Sequence, residues 1–167
     1  MELRTANLLI MIRAATETDL MQMYHLTIQA HEIGPLGHNR LVRRDVIAQF
    51  RHSIASNYEC CFVDEGDSGV AGVICGYLTE SWWDHSKRIA GTLLFFSNAD
   101  GDMDALLSTY IEWAWSNKSV IGVHVARIAK YETNETVFTD NGMNYSGGTY
   151  VSARPRLIKE KADGKPT

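Results

Sequence analysis

The chain has 167 residues, 45% hydrophobic and 22% charged, with a formal net charge of -4. That length suits one domain with a substantial core, and the composition excludes a disordered chain. The acidic balance disfavours nucleic acid as a main partner, and no apolar run approaches the roughly 20 residues needed to span a bilayer.

A signal peptide is not expected, because the apolar stretch 7–12 is short, follows the acidic Glu2 and lacks a small-residue cleavage site. Met11-Ile-Arg13 alternates and reads as a first strand. Thr16 with Asp19 three residues on forms a capping-box pattern, and Leu20, Met23, Tyr24, Ile28 and Ile33 continue it as an apolar helical stripe. Gly34 and Pro35 end that helix in a loop near His31, Glu32 and His38, whose spacing matches no metal motif. A second helix is expected over 43–55, with Val46, Ile47, Phe50 and Ile54 on one side. The basic residues between Arg40 and Arg51 read as its solvated face rather than as a polyanion site.

Residues 58–63 and 71–79 read as hairpin strands joined by a polar loop over 64–69. Residues 81–87 read as a polar connection whose Trp82 and Trp83 form a candidate contact patch. The next strand, 88–97, is apolar on both faces; residues 98–103 break it, and an amphipathic helix follows over 104–118. Trp113 and Trp115 lie about 200° apart around that helix, so one is expected to face the sheet and the other solvent or a partner. A strand over 119–129, a short helix ending Phe138-Thr-Asp-Asn-Gly-Met143 and a last strand through Val151 complete the pattern. The strands flanking the 104–118 helix should be parallel, because a helix crossover joins them. Cys60 and the adjacent Cys61 point to opposite faces of a strand, so with Cys75 they read as buried free thiols in a reducing compartment.

This order of elements resembles the GNAT family of N-acetyltransferases over roughly residues 11–151. Asn98-Ala99-Asp100-Gly101-Asp102-Met103 stands where that family carries Gln/Arg-x-x-Gly-x-Gly/Ala, and Phe138-Thr-Asp-Asn-Gly142-Met143 where it carries Tyr-x-x-x-Gly-Phe. The first motif keeps its central glycine and changes both ends; the second keeps its spacing and loses its phenol. The family's Asn at the start of the second helix falls on Tyr131. The resemblance implies a GNAT-like α/β fold: a mixed, mostly antiparallel sheet with one parallel strand pair and helices on both faces. Residues 1–10 would be an extension, 11–152 the domain and 153–167 a charged tail. It also implies acetyl-CoA as the cofactor if the protein is active, with the pyrophosphate on the amides around 98–103.

The side chains oppose that use. Asp100 and Asp102 flank Gly101 and Asp104 follows; at about 5 Å and an effective dielectric near 20, each would repel a phosphate charge by roughly 3 kcal/mol. Met103 occupies the position where the family keeps a small residue. Acids at a helix start also serve as ordinary caps, which is the reading preferred to a phosphate cradle. An EF-hand is excluded: counting from Asp100, loop positions six and twelve hold Ala105 and Ile111 rather than glycine and glutamate. Phe138 cannot donate a proton, which leaves His124 and Tyr131 as candidate catalytic groups, while Tyr145 and Tyr150 read as packing residues.

The expectation is a GNAT-fold protein with a degenerate acyl-CoA site, acting as a non-catalytic binding or assembly module, as GNAT-like proteins of phage particles do. The alternative is an active N-acetyltransferase moving an acetyl group from acetyl-CoA to an amine. No metal is expected. A protein partner or a second copy would meet Trp82 and Trp83 as apolar anchors and Arg154, Arg156 and Lys159 as charges. The expected location is a reducing cytoplasm, or the virion for a phage-derived chain.

Overall fold

A computed structural model describes residues 11–34, 37, 39–126, 136–146 and 149–153; at 149–151 and 153 only the backbone is described. Seven strands form one sheet: β1 (Met11–Ala14), β2 (Glu59–Gly66), β3 (Gly69–Ser81), β4 (Asp84–Ser97), β5 (Val120–Ala126), β6 (Asn144–Ser146) and β7 (Thr149–Ala153). Their spatial order is β1-β2-β3-β4-β5-β7-β6, and every neighbouring pair is antiparallel except β4 and β5. Helices α1 (Leu20–Ile33), α2 (Arg43–Ala55), α3 (Met103–Ser116) and α4 (Thr136–Asp140) complete the domain. The expected mixed α/β sheet with one parallel pair is therefore what the chain adopts.

Two apolar layers sandwich the sheet. On one face α1 and α2 bury Leu20, Met23, Leu26, Ala30 and Phe50 against Val63, Val73, Cys75 and Phe96. On the other, α3 buries Leu106, Leu107, Tyr110 and Ala114 against Ile74, Ala90, Phe95 and Val123. The stripe of α1 thus runs through Leu26 and Ala30 rather than through Tyr24 and Ile28, which lie half-buried at its margin.

Strand ends depart most from expectation. β2 continues to Gly66, so the loop expected over 64–69 shrinks to a tight turn, and Gly69 supplies the left-handed backbone it needs at φ 112°. The connection expected over 81–87 is instead the tip of the β3–β4 hairpin, with Ser81 paired to Asp84. Polar residues continue both strands beyond the helical layers, where no core requires apolar alternation. Trp113 and Trp115 are both half-buried at the edge of the α3 layer, because Tyr110 and Ala114 hold its centre. β6 is an additional short strand, paired with β7. Residues 1–10, 127–135 and 154–167, with Tyr131, Arg154, Arg156 and Lys159 among them, lie outside the described residues.

Cys60 joins the α3 layer and Cys61 the α1–α2 layer, as strand alternation requires. Cys61 lies directly across from Cys75, with the Sγ atoms 2.7 Å apart, and all three thiols are free and buried. Burial pushes the Cys60 and Cys75 thiols up, which disfavours thiolate chemistry.

The start of α1 is tied to the sheet edge by a buried carboxylate. Arg13 donates to both oxygens of Asp19, at 2.8 and 2.9 Å, and also to Glu65. The N–H and hydroxyl of Thr16 complete the shell of Asp19. The Arg13 hydrogen bonds hold Asp19 at about 2, against the opposing effect of burial. A depressed carboxylate stabilises the fold above its unfolded value and loses that contribution as pH falls. For Asp19 the shift from 3.8 to about 2 corresponds to about 2 kcal/mol, present above pH 4 and lost towards pH 2. Asp19→Asn should therefore lower unfolding free energy at pH 7 and flatten its pH dependence between pH 4 and 2, as urea titrations would report.

Candidate functional site

The loop between β4 and α3 lies at the C-terminal end of the parallel strand pair. β4 and β5 pair only between Arg88–Ala90 and Val120–Val123. Beyond Ala90 the two strands separate: β5 pairs with β7 out to Ala126, while β4 runs on to Ser97 beside β3. Leu93 is an extra residue in β4, since Leu94 faces Cys75 and Thr92 faces Gly76. Such a bulge bends the strand away from its neighbour. Across the resulting wedge, Thr92 Oγ1 accepts the N–H of Ala126 at 3.1 Å.

His124 is the first β5 residue past the last β4 pairing, at the mouth of the wedge. Alternation places it on the face opposite Val123 and Val125, towards the α1–α2 layer. Leu93 and Leu94 line a cavity of ≈ 240 Å³ on that face together with Thr27, Val46, Gln49 and Phe50. Nothing described links His124 to the 98–103 loop by hydrogen bonding. Phe138 is core: its ring meets Phe95 edge to face, 6.2 Å between centroids. Tyr145 is exposed on β6, and no side chain of Tyr150 is described.

Within the loop itself the polar groups satisfy each other. Asn98 donates its N–H to the Ala71 carbonyl at 2.9 Å, and its Oδ1 accepts the N–H of Asp100 at 2.9 Å. The Gly101 N–H reaches the Asn98 carbonyl at 3.2 Å. Asp102 caps α3, its Oδ1 accepting from the Ala105 N–H at 2.9 Å. Met103, the first helical residue, packs partly against the core. Ala99 and Asp100 are exposed, and Asp104 accepts from Asn141 Nδ2 at 2.8 Å.

One residue of this site is absent from the sequence reading. Asp64 is buried in β2, and its Oδ2 accepts the N–H of Asp102 at 2.5 Å. A carboxylate thus sits under the loop and takes the amide next to Gly101. The only signal was an acid at the end of an apolar strand, which the loop reading over 64–69 absorbed. The N–H groups of Ala99, Met103 and Asp104 are left without an acceptor among the described residues. Set against them are the carboxylates of Asp64, Asp100, Asp102 and Asp104. A pyrophosphate would meet four acids and three amides, so these residues do not fit that group.

Trp82 and Trp83 are 80% and 59% exposed at the hairpin tip, in edge-to-face contact with 5.3 Å between centroids. His31 Nε2 contacts the Asn39 carbonyl at 2.8 Å. Among the described residues no three His, Cys, Asp or Glu side chains converge as metal ligands, and no helix is long and apolar enough to cross a membrane.

No family profile matches the sequence, and no curated protein matches it. Solved structures do match. An N-acetyltransferase from Staphylococcus aureus Mu50 superimposes with a TM-score of 0.67 at 19% identity, covering 86% of this chain and 98% of that one. A GNAT-family acetyltransferase from Streptococcus pneumoniae gives 0.65 at 15% identity, covering 85% and 96%. A predicted acetyltransferase from Clostridium acetobutylicum, solved with acetyl-CoA, gives 0.64 at 11% identity, covering 83% and 92%. The fold is accordingly the GNAT fold.

Gly101 tests the packing of the loop. A Cβ there would lie 2.6 Å from Ser97 Oγ and 2.9 Å from the Ala71 carbonyl oxygen, and the latter is backbone that cannot turn aside. Gly101→Ala should cost about 1–3 kcal/mol by overpacking, read as a lower urea midpoint with an unchanged m-value.

Proposed function

We propose that this chain is a GNAT-fold binding or assembly module whose acyl-CoA site is degenerate. The observation that carries this reading is the buried Asp64 carboxylate bonded to the Asp102 amide, beneath a loop that also holds Asp100 and leads into Asp104 in the first turn of α3. A pyrophosphate would have to displace that bond and approach a buried negative charge. The proposed role is protein contact, of the kind that GNAT-like components of phage particles have. Trp82 and Trp83 supply its exposed aromatic anchors, and the basic tail with Arg154, Arg156 and Lys159 supplies charge.

The divergence of β4 from β5, with His124 at its mouth, favours a second reading as an N-acetyltransferase using acetyl-CoA. In that reading His124 accepts the proton of the amine at a ring nitrogen.

Isothermal titration of the full chain with acetyl-CoA separates the two. A dissociation constant in the range of about 1 mM or weaker is expected, equivalent to no more than about 4 kcal/mol. Micromolar binding would overturn the degenerate-site reading in favour of the enzyme. Asp100→Asn with Asp102→Asn should strengthen whatever binding exists, most visibly at low salt. Separately, Trp82→Ala with Trp83→Ala should reduce self-association in light scattering while leaving the melting temperature unchanged. A full chain that is monomeric throughout would exclude a second copy as the partner.

A further inference from the structure

A groove of ≈ 560 Å³ opens between α1 and α2, lined by Glu17, Leu20, Met21, Arg43, Arg44, Ile47 and Arg51. Its position is remote from the Trp82–Trp83 tip in sequence and element. Arg43, Ile47 and Arg51 recur at i, i+4 and i+8 on α2, which sets the Cα atoms of the two arginines about 12 Å apart along the axis with an apolar residue between them. Leu20 and Met21 extend the apolar floor from α1, and Met21 is itself exposed.

These cations are poorly used by the fold. Arg43 has no carboxylate partner among the described residues; it touches Met21 Sδ at 3.1 Å and lies 5.8 Å from the Tyr24 ring centre. Arg51 pairs with Glu17 at 3.0 Å, and Arg44 with its neighbour Asp45 at 3.2 Å, but all four side chains are more than half exposed. Pairs so open hold weakly. Arg43 and Arg44 also occupy the first turn of α2, where the helix dipole disfavours cations, and Val42 provides no side-chain cap. Asp45 in the same turn and the Tyr24 ring offset these two arginines only in part, which marks a place where local stability yields to another requirement.

We propose that this groove receives an extended acidic segment of a protein partner, with carboxylate, apolar and carboxylate side chains on alternate residues. The spacing follows from geometry. Residues i and i+4 of an extended strand lie about 13 Å apart on one face, matching the Arg43–Arg51 separation, and residue i+2 falls over Ile47. Nucleic acid fits less well: Glu17 lines the groove, Asp45 pairs with Arg44, the floor is apolar, and the chain's net charge is -4. The inference goes beyond the acetyl-CoA question, and the outcome of that titration leaves it unaffected.

Fluorescence anisotropy of the full chain with a labelled peptide Ser-Gly-Asp-Thr-Val-Thr-Asp-Gly-Ser tests it. Saturable binding is expected, weakened by about 0.3 M salt. Arg43→Gln with Arg51→Gln should weaken it about fivefold or more at an unchanged melting temperature, whereas Glu17→Gln, which frees Arg51, should tighten it about twofold. A peptide of the same composition with its two aspartates adjacent should bind less well. The proposal is overturned by no saturation at millimolar peptide, by equal binding of the adjacent-aspartate peptide, by weaker binding to Glu17→Gln, or by tighter binding of a thymidine oligonucleotide.

Discussion

The close seating of α3 on β3 fixes the position of everything around the candidate site. Gly72 and Gly76 lie on the strand face beneath the helix. A Cβ at Gly72 would fall 2.7 Å from Leu106 Cδ1, and one at Gly76 only 2.3 Å from Tyr110 Cε2. Helix and sheet therefore approach more closely than two ordinary side-chain layers permit, and Leu106 and Tyr110 fill space that strand side chains would occupy. The Tyr110 hydroxyl is buried there without a hydrogen-bond partner among the described residues, a cost of about 1–3 kcal/mol that the packing of its ring against the sheet and Trp113 must offset. Because the helix is held so low, its N-terminus reaches Asp64 on β2 and the 98–102 loop folds back onto the Ala71 carbonyl.

That placement decides the electrostatics of the loop. A helix N-terminus offers partial positive charge and free amides, and an anion of any origin can use them. Here the anions belong to the chain. Asp102 caps the helix from within it, Asp64 reaches the preceding amide from below, and the Asn98 side chain turns the Asp100 amide inward. Two N–H groups at this helix start, of Asp102 and Ala105, are thus taken by the chain's own carboxylates. The backbone arrangement of the GNAT fold persists around it, because strand splay and crossover depend on sheet packing and not on what the loop binds.

Much of the architecture was legible because it rests on periodicity. Helix α2 was readable end to end from Val46, Phe50 and Ile54, and the parallel pair followed from the crossover alone. Strand ends were not legible. β3 and β4 continue to the hairpin tip with Glu80 opposite Arg88 and Ser81 opposite Asp84, a pairing that is a backbone matter and that side-chain pattern does not signal. The acids of the loop could be counted from the sequence, but their partners could not. Asp64 lies 38 residues before Asp102, and only the folded sheet brings a β2 side chain beneath α3. The Cys61–Cys75 contact is hidden for the same reason, since adjacency of Cys60 and Cys61 drew attention to the wrong pair.

The two faces of the sheet consequently carry different possibilities. On the α3 face, Phe138 completes an aromatic core with Phe95. A phenol at that position would be buried among apolar groups and would need a hydrogen-bond partner that Phe95 cannot provide. On the opposite face, α1 and α2 leave open cavities lined by Leu93 and by the α2 arginines. Changing a groove or a strand tip leaves the two apolar layers intact, whereas changing the loop would disturb the contact that holds α3 against the sheet.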